Sequence, residues 1–574
     1  MSPPSVYEEK EDGAVEHLED GHHELDFDED NGKALRPKTI MALIALTLTF
    51  GSQLGVGSNM TPSILSEIAA EFDATSVQGW ISSGWLMSTC VAFVISGRLS
   101  DIFGRGAIIT FSNVLAMGGF AMCAWAPTFP VLIGGIVLLG AAGGLAQTAT
   151  AAACEIVPNK YRPLAIAFLE MGIAPTGYLA GSTFSHMIIA HTTYKWVFRL
   201  GLILCGVGLV LCLLFYRPPA PLPEDGKTRA QQFASLDFIG MALFSGGLSV
   251  FLMGVIWAGG TYPGNNIHVY LPIVIGLVTL LLFCAWEWRM GDDGLVPPHL
   301  FKGKTRSFTL PIVCHFVAGT VFFSMIALWP IQSALWYTDS LVGVGLLGLP
   351  AGCAVFAGGC LIGPFIPKLG PTNRQMLFWM TVMVTAVACM AALTSHTKVG
   401  AIACQVIANL PFHIIVNLSF LSVQFSQHGK DIGIATGLSG ASRSLGGTVA
   451  VSIYLTIFGA RVPTKVPAGI AAAVADDGLS SETVASLIGL LMDSNTTAAA
   501  ALPGMTTTIL ASAVEGMNQG YAQCFKAVYL ATLGFGIPGI IAAYFVEDVS
   551  EHFTDHVRMD LNRSRPQAID DTKV

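Results

Sequence analysis

The chain consists of long apolar blocks separated by short polar connections. We count fourteen such blocks, each about 20 residues long, which is the length that a helix needs to cross a bilayer. Only 12% of the residues are charged, against about 25% in soluble globular proteins. So little charge cannot give a soluble protein of 574 residues a polar surface. The sequence therefore predicts an all-α polytopic membrane protein. The predicted spans are 39–59, 78–97, 106–126, 130–154, 163–189, 197–216, 237–258, 268–288, 308–330, 341–366, 376–394, 400–422, 434–459 and 526–546.

The basic residues indicate the orientation in the membrane. With a cytoplasmic N-terminus, 22 of the 29 Lys and Arg residues fall in cytoplasmic tails and loops. An excess of basic residues on the cytoplasmic side is typical of membrane proteins. An even number of spans then places both termini in the cytosol. We expect the first span to act as the targeting signal, because no apolar stretch lies near Met1.

Four hydrophilic regions interrupt or flank the apolar pattern. Residues 1–37 form an acidic tail with twelve Asp or Glu and one Lys in its first 32 residues, a composition typical of disorder. We expect a cytoplasmic linker at 217–236 and a cytoplasmic tail at 549–574. The segment 460–525 is expected outside the cell with short surface helices. Within it, Asn495 begins an Asn-Thr-Thr sequon and is a candidate for N-glycosylation.

A short charged hairpin, GRLSDIFGRG at residues 97–106, joins the second and third spans. Its glycines allow a tight backbone, and its charges lie where helix ends and lipid head groups can interact with them. The spacing G-x-L-x-D-x-x-G-R resembles the loop signature of the major facilitator superfamily, with Gly106 in place of a second basic residue. The resemblance implies a loop that takes part in conformational switching. Its predicted members are Gly97, Arg98, Asp101, Gly104 and Arg105.

This resemblance also implies a division of the chain. The superfamily consists of two six-helix bundles that hold the substrate between them near the bilayer midplane. Fourteen spans then divide into an N-terminal bundle at 38–216, an inserted helix pair at 237–288 and a C-terminal bundle at 289–548. We therefore predict the major facilitator fold with two inserted helices, fourteen transmembrane helices in all.

Further runs make the resemblance more specific. GGLAQ at 143–147 leads to EIVPNKYRPLA at 155–165, and SRSLGG occupies 442–447. Together with the acidic tail and the fourteen spans, these runs resemble the fungal trichothecene efflux pump family over most of residues 38–548. The resemblance implies a proton-driven exporter of toxic secondary metabolites or drugs, with some members ascribed siderophore transport.

The fifth span contains an irregular element, MGIAPTGYLAG. Pro175 removes a backbone donor, and Gly177 and Gly181 permit bending and close packing. The element resembles the G-x-x-x-G-P-x-x-G-G element of the family's antiporters, which are mostly exporters, with Ala174 at the Gly position before Pro175. It therefore favours export.

Two acids are candidates for proton coupling, because ionisable groups inside a membrane are energetically expensive. Glu170 lies about 12 Å along the fifth span, at 1.5 Å per residue, toward the middle of the bilayer. Its role is either coupling or substrate contact, or that of a structural hydrogen-bonded acid. Glu155 ends the fourth span, where a cytoplasmic charge network is the main interpretation and coupling the second. Both residues are proposed from their positions.

Polar residues inside the spans mark a candidate substrate cavity. The twelfth span carries one at every fourth position, so that four form a stripe along one helix face. Arg443, about ten residues into the thirteenth span, needs a carboxylate, carbonyl groups or water. It is either a gating residue or a structural anchor, and a pairing with Glu170 is one option. The cavity candidates are Gln147, His315, Gln405, Asn409, His413, Asn417 and Arg443.

Three classes of function remain open from the sequence. The first is proton-coupled efflux of a toxic metabolite or drug, and the second is proton-coupled uptake of a ferric siderophore by the same architecture. The third, a non-transporting sensor or enzyme, is disfavoured, because the chain has no P-loop, HExxH or nucleophile elbow.

The expected partners are those of a proton-coupled membrane transporter. They are a small amphipathic substrate, protons and the lipid bilayer, without nucleic acid, cofactor or metal. We expect a monomer in the plasma membrane, with a vacuolar or vesicle membrane as the alternative.

Overall fold

The computed structural model describes most of the apolar part of the chain. The predicted acidic tail before Pro37, most of the predicted linker and nearly all of the predicted C-terminal tail lie outside the described residues. The described residues are 37–74, 77–177, 179, 181–218, 231, 236–258, 262, 266–291, 294–427, 431–477, 479–493 and 495–553.

Every regular element within these ranges is a helix. Thirteen of the described helical segments are long and apolar enough to cross a membrane, so the predicted class, an all-α polytopic membrane protein, is confirmed. We number the main helices α1 (Pro37–Leu54), α2 (Gly79–Phe103), α3 (Arg105–Ala124), α4 (Phe129–Ala146), α5 (Thr148–Glu155), α6 (Arg162–Ile173), α7 (Gly181–His191), α8 (Lys195–Phe215), α9 (Phe238–Ala258), α10 (Ile267–Met290), α11 (Leu310–Trp336), α12 (Leu341–Phe356), α13 (Thr372–Cys389), α14 (Lys398–Phe425), α15 (Ile432–Ala473), α16 (Ser481–Met492), α17 (Thr507–Ala531) and α18 (Leu533–Phe545).

The predicted span at 163–189 accounts for the difference between fourteen and thirteen. It consists of two shorter helices, α6 and α7, with a turn that begins at Ala174. Pro175 lies in this turn, where it has no amide hydrogen to donate. The hydroxyl of Thr176 donates a hydrogen bond to the carbonyl oxygen of Gly51 in α1 at 3.2 Å. The break is therefore supported by a neighbouring helix, as irregular backbone at membrane depth requires.

Three other described spans contain π-helical turns. One follows α1 at Gly55–Met60, one precedes α11 at Thr305–Thr309, and one follows α12 at Ala357–Ile362. Such turns occur often at functional sites, because they shift the positions of side chains on the helix.

Two apolar cores define two bundles. The first lies within α1–α8, and the second is built mainly from α11–α18. The second core also takes in a few side chains of the first bundle, namely Cys90, Phe93, Val94, Cys154 and Ile166. The inserted pair, α9 and α10, contributes Leu248, Leu252 and Phe283 to the second core. The architecture is thus two six-helix bundles and an inserted pair, as predicted.

The inserted pair lies along the seam between the bundles. Trp257 of α9 packs edge-to-face against Trp80 of α2, with ring centroids 6.5 Å apart. The hydroxyl of Thr456 in α15 donates a hydrogen bond to the carbonyl oxygen of Ala258 at 2.9 Å. One inserted helix therefore contacts both bundles.

The segment 460–525 is more ordered than the sequence indicates. The predicted short helices are present at α16 and at Thr496–Ala500, but α15 and α17 also continue far into this segment. α15 has 42 residues, about 63 Å at 1.5 Å per residue. It packs antiparallel to α17 and encloses a small apolar core that includes Val466, Ile470, Leu487 and Leu491. We call residues 460–525 the helical extension.

Candidate functional site

The hairpin and the end of the fourth span form one buried charged network. Nη2 of Arg105 lies 3.0 Å from Oε1 of Glu155, with both side chains buried. Nη1 of Arg105 donates a hydrogen bond to the hydroxyl of Ser100 at 2.6 Å. Gly104 has a φ of +88°, which glycine adopts without strain, so α3 can begin directly after α2. This geometry agrees with the interpretation of Glu155 as part of a charge network.

At the same end, the backbones of the two bundles are in contact. A Cβ atom at Gly97 would lie 2.7 Å from the carbonyl oxygen of Gly433 in α15. A Cβ atom at Gly437 would lie 2.7 Å from the carbonyl oxygen of Phe93 in α2. Larger side chains do not fit at these two glycines without a shift of the backbone. The bundles are therefore closed against each other at the hairpin end.

Two arginines add contacts across the seam. Arg98 donates from Nη2 to the carbonyl oxygen of Gly294 at 3.1 Å, in the connector that leads from α10 toward the second bundle. The guanidinium of Arg162 in the first bundle lies 5.2 Å from the ring centroid of Phe425 in the second. The side chain of Asp101 lies outside the described part of the structure, so its role stays a prediction.

Glu170 and His413 meet across the two bundles. Oε2 of Glu170 in α6 lies 3.4 Å from Nδ1 of His413 in α14, and the two side chains are only 4% and 1% exposed. The sequence predicts them separately, one from its depth and the other from the polar stripe. The tertiary structure brings them together.

Three residues of the second bundle extend this contact. Nδ1 of His315 in α11 lies 2.8 Å from the hydroxyl of Ser439 in α15. Arg443 lies one turn further along α15, and its side chain is also buried. We call Glu170, His315, His413 and Arg443 the cross-bundle cluster. Sequence reasoning missed Ser439, although its spacing of four residues from Arg443 places both on one helix face.

The rest of the polar stripe of α14 lies on either side of His413. Nδ2 of Asn409 donates to Oε1 of Gln405 at 2.9 Å, and both residues line a cavity of about 90 Å³. Asn417 is fully buried, and neither polar atom of its side chain has a hydrogen-bond partner among the described residues. Oε1 of Gln147 in the first bundle is also buried without a described partner. Such groups are normally satisfied by water or a ligand.

The irregular element of the fifth span borders the same small cavity. Gly177 is part of the cavity wall, and its amide donates to the carbonyl oxygen of Ile173 at 2.6 Å. A Cβ atom at Gly181 would lie 2.6 Å from the carbonyl oxygen of Thr176. The predicted bend element, which also contains Pro175, therefore adjoins two residues of the polar stripe through Gly177.

A larger cavity, of about 310 Å³, lies between the bundles at the end opposite to the hairpin. Trp80 and Trp85 of α2 line it from the first bundle, and Phe323 and Leu455 line it from the second. The structure thus has backbone contacts between its bundles at the hairpin end and a cavity between them at the opposite end. Near the cavity end the bundles still touch, since the hydroxyl of Thr183 in α7 donates to the carbonyl oxygen of Gly345 in α12 at 3.2 Å.

Asn495 lies apart from these sites, in the helical extension. It is exposed, and its Oδ1 accepts a hydrogen bond from the amide of Ala498 at 3.0 Å, at the start of Thr496–Ala500. The sequon is accessible in this position, and its glycosylation stays a prediction.

Two bundles with a buried polar cluster at their seam and a cavity at one end define a secondary transporter of the major facilitator class. The model of the fungal trichothecene efflux pump (TRI12) family matches residues 28–572. The chain therefore belongs to this family, and it is an efflux transporter of small molecules. The enzyme and sensor readings are not supported by this membership.

Similar proteins agree with this membership. The chain is 25% identical to the trichothecene efflux pump TRI12 of Fusarium sporotrichioides over 514 residues, 88% of this chain and 84% of that protein. It is 29% identical to the MFS-type transporter prx5 of Penicillium rubens over 463 residues, 78% of this chain and 82% of that protein. It is 26% identical to the efflux pump dotC of Dothistroma septosporum over 62% of this chain and 61% of that protein.

Solved structures share the fold. The human organic anion transporter MFSD10 (TETRAN) superposes with a TM-score of 0.51 at 12% identity, covering 88% of this chain and all of that chain. An auto inhibited POT family peptide transporter superposes with a TM-score of 0.50 at 15% identity, covering 87% of this chain and 96% of that chain. At these identities the likeness concerns the architecture alone.

Proposed function

We propose that the chain exports a small amphipathic secondary metabolite, of the trichothecene type, in exchange for protons. The observation that carries the proposal is the buried contact of Glu170 with His413. Carboxylic acids and imidazoles are the groups that form proton relays within membrane transporters. Because the acid belongs to one bundle and the imidazole to the other, separation of the bundles also separates the acid from the base.

A transport cycle follows from this coupling. A proton from the outside neutralises the carboxylate of Glu170 and weakens its attraction to His413. The bundles then part at the hairpin end and close at the other end, as alternating access requires. Release of that proton to the cytosol restores the carboxylate, and the metabolite leaves in the opposite direction. In this cycle, Glu170 is the coupling acid, while Glu155 belongs to the hairpin network.

The orientation is also part of the proposal. The excess of Lys and Arg at the hairpin side supports a hairpin that faces the cytosol together with both termini. The cavity of about 310 Å³ then opens to the outside. We propose the plasma membrane as the location and a monomer as the working unit. The relatives described as efflux pumps support export over siderophore uptake.

The experiment uses the purified full chain in liposomes with an imposed pH gradient. We expect a labelled trichothecene to move against the proton flow in the wild type and to lose this coupled movement in Glu170→Gln. Glu482→Gln, an exposed acid in the helical extension, is the matched control and should transport like the wild type. Full gradient-driven transport by Glu170→Gln would contradict the coupling role. A ferric siderophore that moves with the protons would replace export by uptake.

A further inference from the structure

The larger cavity has one polar wall and one apolar wall, and each belongs to a different bundle. Hydroxyl and amide groups line it from the first bundle, whereas all lining residues of the second bundle are apolar. No charged side chain is among the described residues that line it. The polar wall includes Ser58, Ser63, Gln78, Ser82 and Ser83.

Three members of the polar wall have unused hydrogen-bonding groups. The side chains of Gln78, Ser82 and Ser83 have no hydrogen-bond partner among the described residues. Ser83 is only 5% exposed as a residue, whereas Gln78 and Ser82 are half-buried. Gln78 is the residue before α2, but its side chain does not cap the helix. Ser58, by contrast, already donates to the carbonyl oxygen of Leu54 at 2.6 Å.

These three residues are held in one place. Gln78 and Ser82 are four residues apart, so they lie on one helix face, and Ser83 follows directly. Trp80, in the same first turn of α2, packs against Trp257 of the inserted pair. A preorganised wall of this kind loses little conformational entropy when a ligand binds.

We propose that this cavity binds the exported compound and selects neutral molecules with one oxygen-rich face and one hydrocarbon face. Gln78, Ser82 and Ser83 hydrogen-bond to the ligand oxygens, while Phe323 and Leu455 pack against the hydrocarbon. The inference rests on the proposed export function and names the substrate class of its outer site. The site disfavours a charged ligand, because the described lining residues offer no opposite charge to replace its hydration.

The polar wall also explains how related compounds are distinguished. A ligand that lacks the oxygens covers the hydroxyl and amide groups of the polar wall without pairing them and loses affinity for that reason. A change in the hydrocarbon, by contrast, alters only the contact area with the second bundle. The site therefore selects by oxygenation more strictly than by carbon skeleton.

The test is equilibrium binding to the purified full chain without any pH gradient. The probes are a tritiated trichothecene with free hydroxyl groups and its deoxy analogue. We expect the triple variant Gln78→Leu/Ser82→Ala/Ser83→Ala to weaken binding of the hydroxylated probe about tenfold or more, with little change for the deoxy analogue. Ser88→Ala is the matched control, because its hydroxyl donates within α2 to the carbonyl oxygen of Gly84. This variant should keep the wild-type preference.

A second variant tests the apolar wall. Leu455→Asn should weaken the binding of both probes to the same extent, since both present the same hydrocarbon face. Thermal unfolding of each variant confirms that the protein is folded. An unchanged preference for the hydroxylated probe in the triple variant would overturn the proposed site. The proposed site would also be overturned if the wild type bound neither probe. The same holds if the wild type bound a charged analogue as tightly as the hydroxylated probe.

The binding experiment and the transport experiment together distinguish failure of the proposed binding site from failure of proton coupling. Loss of the preference in the triple variant, together with full gradient-driven export by Glu170→Gln, would support the site and contradict the coupling. The reverse pattern would support the coupling and contradict the site.

Discussion

Oε2 of Glu170 lies 3.4 Å from Nδ1 of His413, and the contact crosses the seam between the two bundles with both side chains buried. In the proposed transport cycle, protonation of this contact controls the movement of the two bundles. The same seam is closed by backbone contacts at the hairpin end and holds a cavity at the other end.

The first prediction concerns the energetic coupling of this pair. Glu170→Gln and His413→Gln should each lower the free energy of unfolding, and the double variant should lose less than the sum. For residues in contact, a coupling of about 0.5–3 kcal/mol is expected. Unfolding of the purified protein by heat or denaturant, in one detergent, measures all four forms. Effects that add within about 0.3 kcal/mol would show that the two residues act independently.

The second prediction concerns closure at the hairpin end. Gly437→Leu should keep the bundles apart there, because its side chain would meet the backbone of Phe93. Cys90 is buried at this seam, where its Sγ donates to the carbonyl oxygen of Ala441, so its alkylation reports on opening. We expect alkylation at least tenfold faster, read by mass spectrometry of the Cys90 peptide, as for a shift of about 1.4 kcal/mol.

The control for this prediction is Gly118→Leu. A Cβ atom at Gly118 in α3 would have no neighbour within 4 Å, so the added side chain meets open space and alkylation should stay at the wild-type rate. Equal rates for Gly437→Leu and the wild type would mean that the close glycine contact does not control opening.

The third prediction concerns the buried ion pair of the hairpin network. Glu155→Gln should destabilise the protein by about 1.5–3 kcal/mol, because it replaces the buried carboxylate that accepts a charge-assisted hydrogen bond from Arg105 by a neutral amide. Glu71→Gln removes a more exposed ion pair with Lys195, and it should cost about 1 kcal/mol or less. Thermal unfolding measures the loss of stability in the two variants. Similar losses would mean that burial does not increase the contribution of the Arg105–Glu155 pair to stability.

The fourth prediction concerns the segment that follows α18. The carboxylate of Asp548 accepts hydrogen bonds from the amide of Thr372 at 2.9 Å, from the Thr372 hydroxyl at 2.8 Å and from Ser550. Burial of Asp548 opposes ionisation, but the hydrogen bonds from Ser550 and Thr372 outweigh it and lower the pKa of Asp548 below its ordinary value of 3.8. The contribution to stability is therefore complete above that value and is lost as the pH falls through the lowered pKa.

Asp548→Asn should accordingly loosen this segment at pH 7. In strong acid, where Asp548 is protonated in the wild type, the variant and the wild type should behave alike. Hydrogen exchange of the Thr372 and Ser550 amides between pH 7 and pH 2 measures the difference, after correction for intrinsic rates. Glu551→Gln, an exposed acid in the same segment, is the control. A difference between Asp548→Asn and the wild type that persists in strong acid would contradict the charge-based explanation.

Local sequence properties determined much of this protein. The length of the apolar blocks and the low charge predict the membrane helices, because the bilayer acts on each segment separately. The hairpin spacing predicts a tight turn, and the structure contains it at Gly104. The element around Pro175 predicts the irregularity of the fifth span, although it divides the helix rather than bending it.

Contacts between distant segments could not be read in the same way. Pro463 and Pro467 suggest a helix end, yet both lie inside α15, where packing against α17 outweighs local preference. The depth of Glu170 and the stripe that contains His413 are visible in the sequence, but their contact depends on which helix faces meet. Gln78, Ser82 and Ser83 show no pattern of their own. They form a wall only because another bundle supplies the opposite, apolar wall, and that arrangement results from packing over the whole chain.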